Sequence, residues 1–237
     1  MIISGVSKKG GRMSNEDYWG ETRAGDILCV VVADGLGGHK GGKLASKIAV
    51  DTVLSQFTKA PGFSSEAAKE LVEAANLAVR EKAGTDPELV RMSTTVVILL
   101  IKGRSAVWAN VGDSRLYRFE DNIIAEVTED HSLAFADFME GVTEYDDIRR
   151  SKKQNLLTNA LGLSFGDVSL RNPIRLATDT AFLLCTDGWW EYVNEEQMEQ
   201  TLRKSKKTHA WIDAMLKIHD HTAPGDCDNY TAVAIMF

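Results

Sequence analysis

The chain has 237 residues, of which 44% are apolar and 26% charged, a balance typical of a globular protein large enough to bury a substantial core. Its net charge of −7 argues against a nucleic-acid partner or an anionic membrane, because both favour a basic face. The length suits one domain, and we expect residues 1–237 to form a single unit.

The chain shows no sign of export or of membrane insertion. Its first residues lack a charged segment followed by an apolar run, so we predict no signal peptide. The apolar stretch 93–101 is among the longest and is too short to span a bilayer. Three cysteines without a C-x-x-C pair, two of them in apolar runs, favour inert reduced thiols and a cytoplasmic location.

Apolar, β-branched runs predict the strands. The run Ile27–Ala33 is continuous and ends at Asp34, which is typical of a strand buried on both faces. Turns containing glycine separate the next three runs. Further strands are predicted at 94–101, 106–111, 116–119, 181–185 and 232–237.

Helical periodicity predicts four helices, the second capped by Ser64 or Ser65, at 42–57, 65–82, 195–204 and 209–219. The polar segment 133–155 contains Gly141 and predicts a helix–turn–helix flap, poor in core residues and therefore mobile. Strands come first, two long helices follow, and strands return. This order favours a two-sheet sandwich with helices outside over an alternating doubly wound sheet.

An aspartate stands at the end of four apolar strands. Asp34 follows VVVA, Asp113 follows WANVG, Asp187 follows FLLCT, and Asp228 precedes YTAVAIMF. One such aspartate is usually a turn residue or a helix cap. Four of them, two followed by glycine, indicate a site, and like-charged carboxylates brought together need a cation between them. Oxygen ligands of this kind select Mg²⁺ or Mn²⁺.

Three alternative interpretations of this region each fail at a single position. Residues 37–43 match the spacing G-x-x-x-x-G-K of a nucleotide-binding loop, but the next residue is Leu44 instead of the Ser or Thr that would hold Mg²⁺. A dinucleotide fingerprint starting at Gly35 would need a glycine where Lys40 stands. An aspartyl-phosphate enzyme would need a second acid at the position of Leu36.

Eight short motifs follow one another along the chain. They are RMSNED (12–17), ADGLGGH (33–39), STT (93–95), ANVGDSR (109–115), TEDHS (128–132), NLLTNALG (155–162), TDG (186–188) and DNYT (228–231). In this order they resemble the type 2C, or PPM, family of metal-dependent serine/threonine phosphatases over essentially the whole chain, and in particular its compact bacterial members.

The resemblance implies a fold and a reaction. The fold is α+β, a four-layer αββα sandwich of two antiparallel sheets flanked by helices. The reaction is hydrolysis of phosphoserine and phosphothreonine in proteins by direct attack of a hydroxide that bridges two metal ions, without a phosphoenzyme. The implied cofactors are two Mg²⁺ or Mn²⁺ ions and possibly a third. The implied partners are phosphoproteins made by a serine/threonine kinase, and we expect a monomer.

The resemblance also assigns roles to individual residues. Asp34 would bridge the two ions, and the carbonyl of Gly35 would complete one site. Arg12 would bind the substrate phosphate, because its planar fork of donors fits phosphate oxygens. The remaining metal positions would be Asp187 and Asp228 in the other site, Glu16 and Asp17 as direct or water-mediated ligands, and Asp113 at a third ion.

Two positions depart from the family pattern. Leu36 stands where many relatives have a histidine proposed as the general acid, so we expect a water to protonate the leaving group unless His39 reaches it. Glu191 stands where bacterial relatives often have an aspartate at the third ion. A non-catalytic binding module and an unrelated Mg²⁺ nuclease are the alternative functions; the aspartates argue against the first, and the acidic charge argues against the second.

Overall fold

Two five-stranded sheets, antiparallel throughout, stack face to face at the centre of the protein. The computed structural model describes residues 1–37, 40–163 and 165–237. The first sheet has the order β10-β7-β6-β3-β2, comprising Ser169–Arg175, Ser105–Val111, Val96–Lys102, Ile27–Ala33 and Tyr18–Ala24. The second has the order β1-β12-β11-β8-β9, comprising Ile2–Lys8, Tyr230–Met236, Ala181–Cys185, Arg115–Glu120 and Ile123–Val127.

Helices cover the outer face of each sheet. On the first sheet lie α1 (Lys40–Lys59) and α2 (Ser65–Ala83), and the side chain of Ser64 caps α2 by accepting the Ala67 N–H at 3.0 Å. On the second sheet lie α4 (Asp187–Trp190), α5 (Glu195–Lys204) and α6 (Thr208–Thr222). The predicted αββα sandwich is therefore confirmed. Within the described ranges, no helix is long and apolar enough to cross a membrane.

Strand β3 shows why the central runs are apolar throughout. Leu28, Val30 and Val32 point between the two sheets, whereas Cys29 and Val31 point toward α1 and α2. Because both faces are covered, every residue of the strand is buried. Strand β11, whose residues are also all buried, follows the same rule.

The sequence prediction missed four strands, and all four lie at sheet edges. They are β1, β2, β9 and β10, whose residues are mostly exposed or half-buried. An edge strand needs no continuous apolar run, so it leaves a weak signal in the sequence. The predicted strand 94–101 also divides, because Ser93–Thr94 pairs with the two-residue strand Gly35–Leu36 before β6 begins.

The segment 133–155 differs from its prediction in packing. It forms α3 (Leu133–Met139) and a 3₁₀-helix (Tyr145–Arg150), so the second helix of the predicted helix–turn–helix is a 3₁₀-helix instead of an α-helix. It is not poor in core residues, since Ile148 is buried and the ring of Phe138 lies 5.6 Å from that of Tyr145. These side chains pack on the core beneath the second sheet. Its mobility stays a prediction.

A buried ion pair joins β8 to the loop before this segment. Arg115 donates to both carboxylate oxygens of Asp130, at 2.8 and 2.7 Å, and each side chain is only 2% exposed. The guanidinium also lies 3.8 Å from the ring of Trp190 and donates to the hydroxyl of Tyr117. Its charge is thus satisfied on several sides, and removing one partner would leave a buried charge unpaired.

We expect Asp130→Ala to lower the free energy of unfolding by about 3–5 kcal/mol, because Arg115 would lose its buried counter-charge. Urea unfolding measures this. The control is Glu73→Ala, which breaks the half-exposed pair with Lys69 and should cost about 0.3–0.5 kcal/mol. Equal losses in the two variants would show that Arg115 finds another partner.

Candidate active site

A cleft of about 550 Å³ opens where strands of the two sheets end, and the predicted site residues converge on it. The aspartates arrive from four different places in the chain, since they lie before or after β3, β8, β11 and β12. The predicted residues that line the cleft are Arg12, Glu16, Asp34, Gly35, Asp113, Asp187 and Asp228. Asp17 is buried nearby, where it affects the pKa of Asp34.

Three hydroxyl groups hold Asp34 in place through its main chain. The Asp34 N–H donates to Oγ1 of Thr95 at 2.9 Å, and its carbonyl accepts from Oγ1 of Thr94 at 2.7 Å. Oγ1 of Thr95 lies 2.7 Å from the hydroxyl of Ser114, the residue after Asp113. This chain of hydroxyls therefore ties the Asp34 turn to the Asp113 turn across the gap between the two sheets.

Glycine at position 35 is a steric requirement. A Cβ there would overlap the main-chain oxygen of Gly42 in the first turn of α1 and come too close to that of Glu16. A Cβ at Gly42 would in turn overlap the Glu16 side chain. The two glycines let α1 approach the Asp34 turn closely, which exposes main chain next to the carboxylates.

Asp187 and Asp228 are each fixed by a local hydrogen bond. One oxygen of Asp187 accepts the N–H of Gly188 at 2.6 Å, and one oxygen of Asp228 accepts the N–H of Asn229 at 2.7 Å. The Asn229 side chain accepts the N–H of Glu16 at 2.7 Å. The second oxygen of Asp228 accepts a hydrogen bond from Arg12.

Asp17 is anchored at one oxygen only. Its Oδ2 accepts from Thr231 at 2.7 Å and from Thr186 at 2.9 Å, while its buried Oδ1 has no hydrogen-bond partner among the described residues. Burial raises the pKa of Asp17 to about 7 against the lowering effect of the two threonines. An orphaned buried carboxylate oxygen fits a position that a cation or its water would satisfy.

The carboxylates repel one another. Desolvation raises the pKa of Asp34 well above its usual range, and the charges of Asp17, Asp187, Asp113 and Asp228 add to this. Desolvation and then the charge of Asp228 raise the pKa of Asp187 to about 6. Burial and then the charge of Asp187 raise the pKa of Asp113 as well. A divalent cation would relieve this repulsion and keep the carboxylates ionised.

The donor set fits Mg²⁺ or Mn²⁺, because carboxylate and carbonyl oxygens are the ligands these ions prefer. Within residues 1–37, 40–163 and 165–237, however, no three acidic, histidine or cysteine side chains converge into a closed ligand set.

Arg12 stands at the mouth of the cleft, 57% exposed, and its Nη2 donates to Oδ2 of Asp228 at 2.7 Å. Arg12, the predicted phosphate-binding residue, therefore lies next to the carboxylates and forms an ion pair with one of them, Asp228. The Glu16 side chain lies near Gly42 and accepts a long hydrogen bond from Ser14 at 3.4 Å.

Asp113 is 4% exposed and is held through its main chain by Trp190. The Trp190 ring N–H donates to the Asp113 carbonyl at 3.0 Å, and its own carbonyl accepts from Arg149 of the 3₁₀-helix. Because Trp190 is the last residue of α4, which begins at Asp187, it links both aspartates to segment 133–155.

The two departures from the family pattern lie at different places. Leu36 lines the cleft and has no proton to give, and His39 lies outside the described residues. Glu191 follows α4, where burial and then the charges of Asp187 and Asp228 raise its pKa to about 8. Its Oε1 accepts a hydrogen bond from Gln154.

Sequence reasoning did not single out the groups that hold the aspartates. These are Thr95, Ser114, Thr186, Thr231 and Trp190. The first four belong to motifs that were recognised, so their hydroxyls could have been found by asking what supports each aspartate. Trp190 left no signal beyond being a large apolar residue, since its partners Asp113 and Arg115 are remote in sequence.

A two-sheet sandwich that ends in a cleft of carboxylates defines a class of metal-dependent phosphatase, and comparison with known proteins agrees. The profile of the family described as Protein phosphatase 2C matches residues 4–222. The chain belongs to this family.

A serine/threonine phosphatase of Listeria monocytogenes is 32% identical to the chain, over 83% of it and 80% of the relative. The solved structure of Stp1 from Staphylococcus aureus superposes with a TM-score of 0.88 at 26% identity, covering 99% of this chain and 94% of that one. The catalytic domain of the phosphatase PstP, solved with two manganese ions, has a TM-score of 0.84 at 23% identity and covers 99% and 97%.

Trp190→Phe keeps an aromatic ring, although a smaller one, and removes the N–H that donates to the Asp113 carbonyl. We expect the buried carbonyl to lose its donor at a cost of about 1–3 kcal/mol in unfolding free energy. We also expect phosphopeptide turnover to fall by roughly tenfold or more, because small displacements of reacting groups are costly. Urea unfolding and steady-state kinetics measure the two effects.

Trp211→Phe is the matched control, because Trp211 also donates from its ring to a buried carbonyl, that of Met198 at 3.1 Å, beneath the second sheet. It should lose stability but keep turnover. If both variants lost turnover equally, Trp190 would act only through general stability.

Proposed function

We propose that the chain is a metal-dependent protein phosphatase that hydrolyses phosphoserine and phosphothreonine in proteins. The observation that carries this is the convergence of Asp17, Asp34, Asp113, Asp187 and Asp228 around one cleft, with an arginine at its mouth. A non-catalytic relative would not need to maintain so many mutually repelling carboxylates. The related proteins named serine/threonine phosphatases support the same reaction class.

We propose the following residues as ligands of two Mg²⁺ or Mn²⁺ ions. Asp34 and the Gly35 carbonyl would serve one ion, and Asp34, Asp187 and Asp228 the other. The fold neighbour solved with two manganese ions supports the capacity of this fold to hold such a pair. Bound ions would supply a water of lowered pKa and neutralise charge on the phosphoryl oxygens.

Further positions around this pair carry weaker support. Asp17, with its orphaned oxygen, and Glu16 would act beside the ions, directly or through water. Asp113 would serve a third ion, at a turn held rigid by Ser114 and Trp190. Glu191, which is longer than the expected aspartate and bonded to Gln154, would make this third site weaker.

The chain's own side chains orient the substrate. Arg12 would exchange its hydrogen bond to Asp228 for one to a phosphoryl oxygen and stabilise the charge that develops there. Asp228 would then be released toward the cation. After the exchange each of the two groups would still face an opposite charge, Arg12 the phosphate and Asp228 the cation. Because Leu36 cannot donate a proton, the leaving group would be protonated by water or by His39.

The biological setting follows from the reaction. The partners would be phosphoproteins made by a serine/threonine kinase, and the enzyme would act as a cytoplasmic monomer without a nucleic-acid partner. Residues 1–237 would form one catalytic unit, with segment 133–155 as a flap beside the cleft.

Removal of metal tests the proposal directly. Hydrolysis of a phosphothreonine peptide should stop in EDTA and return when Mg²⁺ or Mn²⁺ is added, because the carboxylates alone repel an anionic substrate. Asp34→Asn should weaken Mn²⁺ binding in calorimetry, whereas Asp51→Asn, at an exposed surface pair with Lys47, should not. Full activity in chelator, with no metal bound to the protein, would refute the metal-dependent reaction.

Arg12→Ala should raise KM for the phosphopeptide. The expected loss of binding free energy is about 1.5–3 kcal/mol, the value of a charge-assisted hydrogen bond. Arg12→Lys should recover only part of this, because lysine keeps the charge but loses the fork. Mn²⁺ affinity is measured in parallel, because removal of Arg12 also removes the hydrogen bond to Asp228. A change in that affinity would show that the loss comes from altered metal binding by Asp228. Unchanged KM and kcat would make Arg12 an ordinary surface residue.

A further inference from the structure

A second cleft, of about 450 Å³, opens next to the candidate active site. Its walls come from the 3₁₀-helix Tyr145–Arg150, the chain that follows α4, and the first turn of α5. Gln154 and Glu191, which share a hydrogen bond, both line the second cleft, and Asn155, the residue after Gln154, lines the first. Glu191 also lies close enough to Asp187 and Asp228 for their charges to raise its pKa, so the two clefts are neighbours.

The second cleft presents an unmatched positive charge. Arg149 is compensated by an ion pair with Glu195 and a hydrogen bond to the Trp190 carbonyl. Arg150 is exposed and has no ion-pair partner within the described ranges. Arg150 therefore remains available to an anion that enters the cleft.

Two amide side chains add unused hydrogen-bonding capacity. Gln197 accepts the N–H of Asn194 through its oxygen at 2.9 Å, which leaves its NH₂ group without an acceptor in the described part of the chain. Gln154 donates to Glu191, and its buried oxygen has no partner among the same residues. The cleft thus offers a cation and a donor for an anion.

We propose that this second cleft binds an anionic side chain of the substrate polypeptide, near the phosphorylated residue, through Arg150 and Gln197. The anion would be a carboxylate or a second phosphate, which share the same chemistry here. The proposal rests on the phosphatase function and adds a sequence preference to it.

The test compares phosphothreonine peptides that carry a single glutamate, moved through positions on either side, with the matching glutamine peptides. For the wild-type protein we expect one glutamate position to raise kcat/KM by roughly three- to tenfold, the range of an exposed to partly desolvated ion pair. Arg150→Ala should bring this ratio close to one, and Arg150→Glu should invert it because like charges repel. The ratio should also fall as salt increases.

Arg175→Ala is the control, since Arg175 is an exposed arginine on edge strand β10 and does not line the cleft. It should leave the ratio unchanged. Replacing the glutamate with phosphoserine distinguishes the two sources of the anion, because a phosphate-selective cleft would favour the doubly phosphorylated peptide more strongly.

Binding of the same peptides without phosphothreonine, followed by fluorescence anisotropy, separates the two proposals. If no peptide were hydrolysed while the glutamate peptide still bound in an Arg150-dependent way, the phosphatase function would fail and the anion site would stand. A wild-type ratio near one at every position, or a ratio unaffected by Arg150→Glu, would overturn the anion site.

Discussion

Mutual repulsion among aspartates around one cleft is the constraint on which the rest of this structure depends. Asp17, Asp113 and Asp187 are buried, and Asp34 and Asp228 are partly exposed to the cleft. Burial and the neighbouring charges favour the protonated form of Asp17, Asp34, Asp113 and Asp187, as the raised pKa values of these four groups show. Folding can hold them together only if the main chain next to each is fixed, and only a cation lets them stay ionised.

The protein fixes the main chain with small groups instead of with counter-charges. Threonine and serine hydroxyls bridge the Asp34 and Asp113 turns, and a second threonine pair binds one oxygen of Asp17. Glycine at position 35 removes the Cβ that would keep α1 away. A lysine in these places would neutralise the carboxylates and occupy the space a metal ion needs. Neutral hydroxyls and glycine hold the geometry and leave the negative charge available.

The flanking segment 133–155 is joined to the same aspartates through a different set of contacts. Arg149 meets the carbonyl of Trp190, and Trp190 holds Asp113 and faces Arg115. A change in this segment can therefore reach Asp113 through Trp190. The second cleft lies along this connection, so binding there and the position of Asp113 share the residue pair Arg149 and Trp190.

The sequence by itself determined the fold class and the family, and it predicted the residues of the candidate site. The motifs around Asp34, Asp113, Asp187 and Asp228 are short polar segments at the ends of apolar strands, and they follow one another in a fixed order. Such a pattern can be recognised in a single sequence. The central strands were predictable for a related reason: a strand buried on both faces must be apolar throughout, as Ile27–Ala33 is.

Only the tertiary structure decided the remaining features, because they depend on residues that meet from distant parts of the chain. The edge strands β1, β2, β9 and β10 are defined by pairing with a neighbour and need no apolar pattern of their own. The bonds from Thr186 and Thr231 to Asp17, and from Trp190 to Asp113, join residues 77 to 214 positions apart. The partner of Arg12 and the second cleft beside Glu191 depend on the same long-range folding, for which local sequence carries no signal.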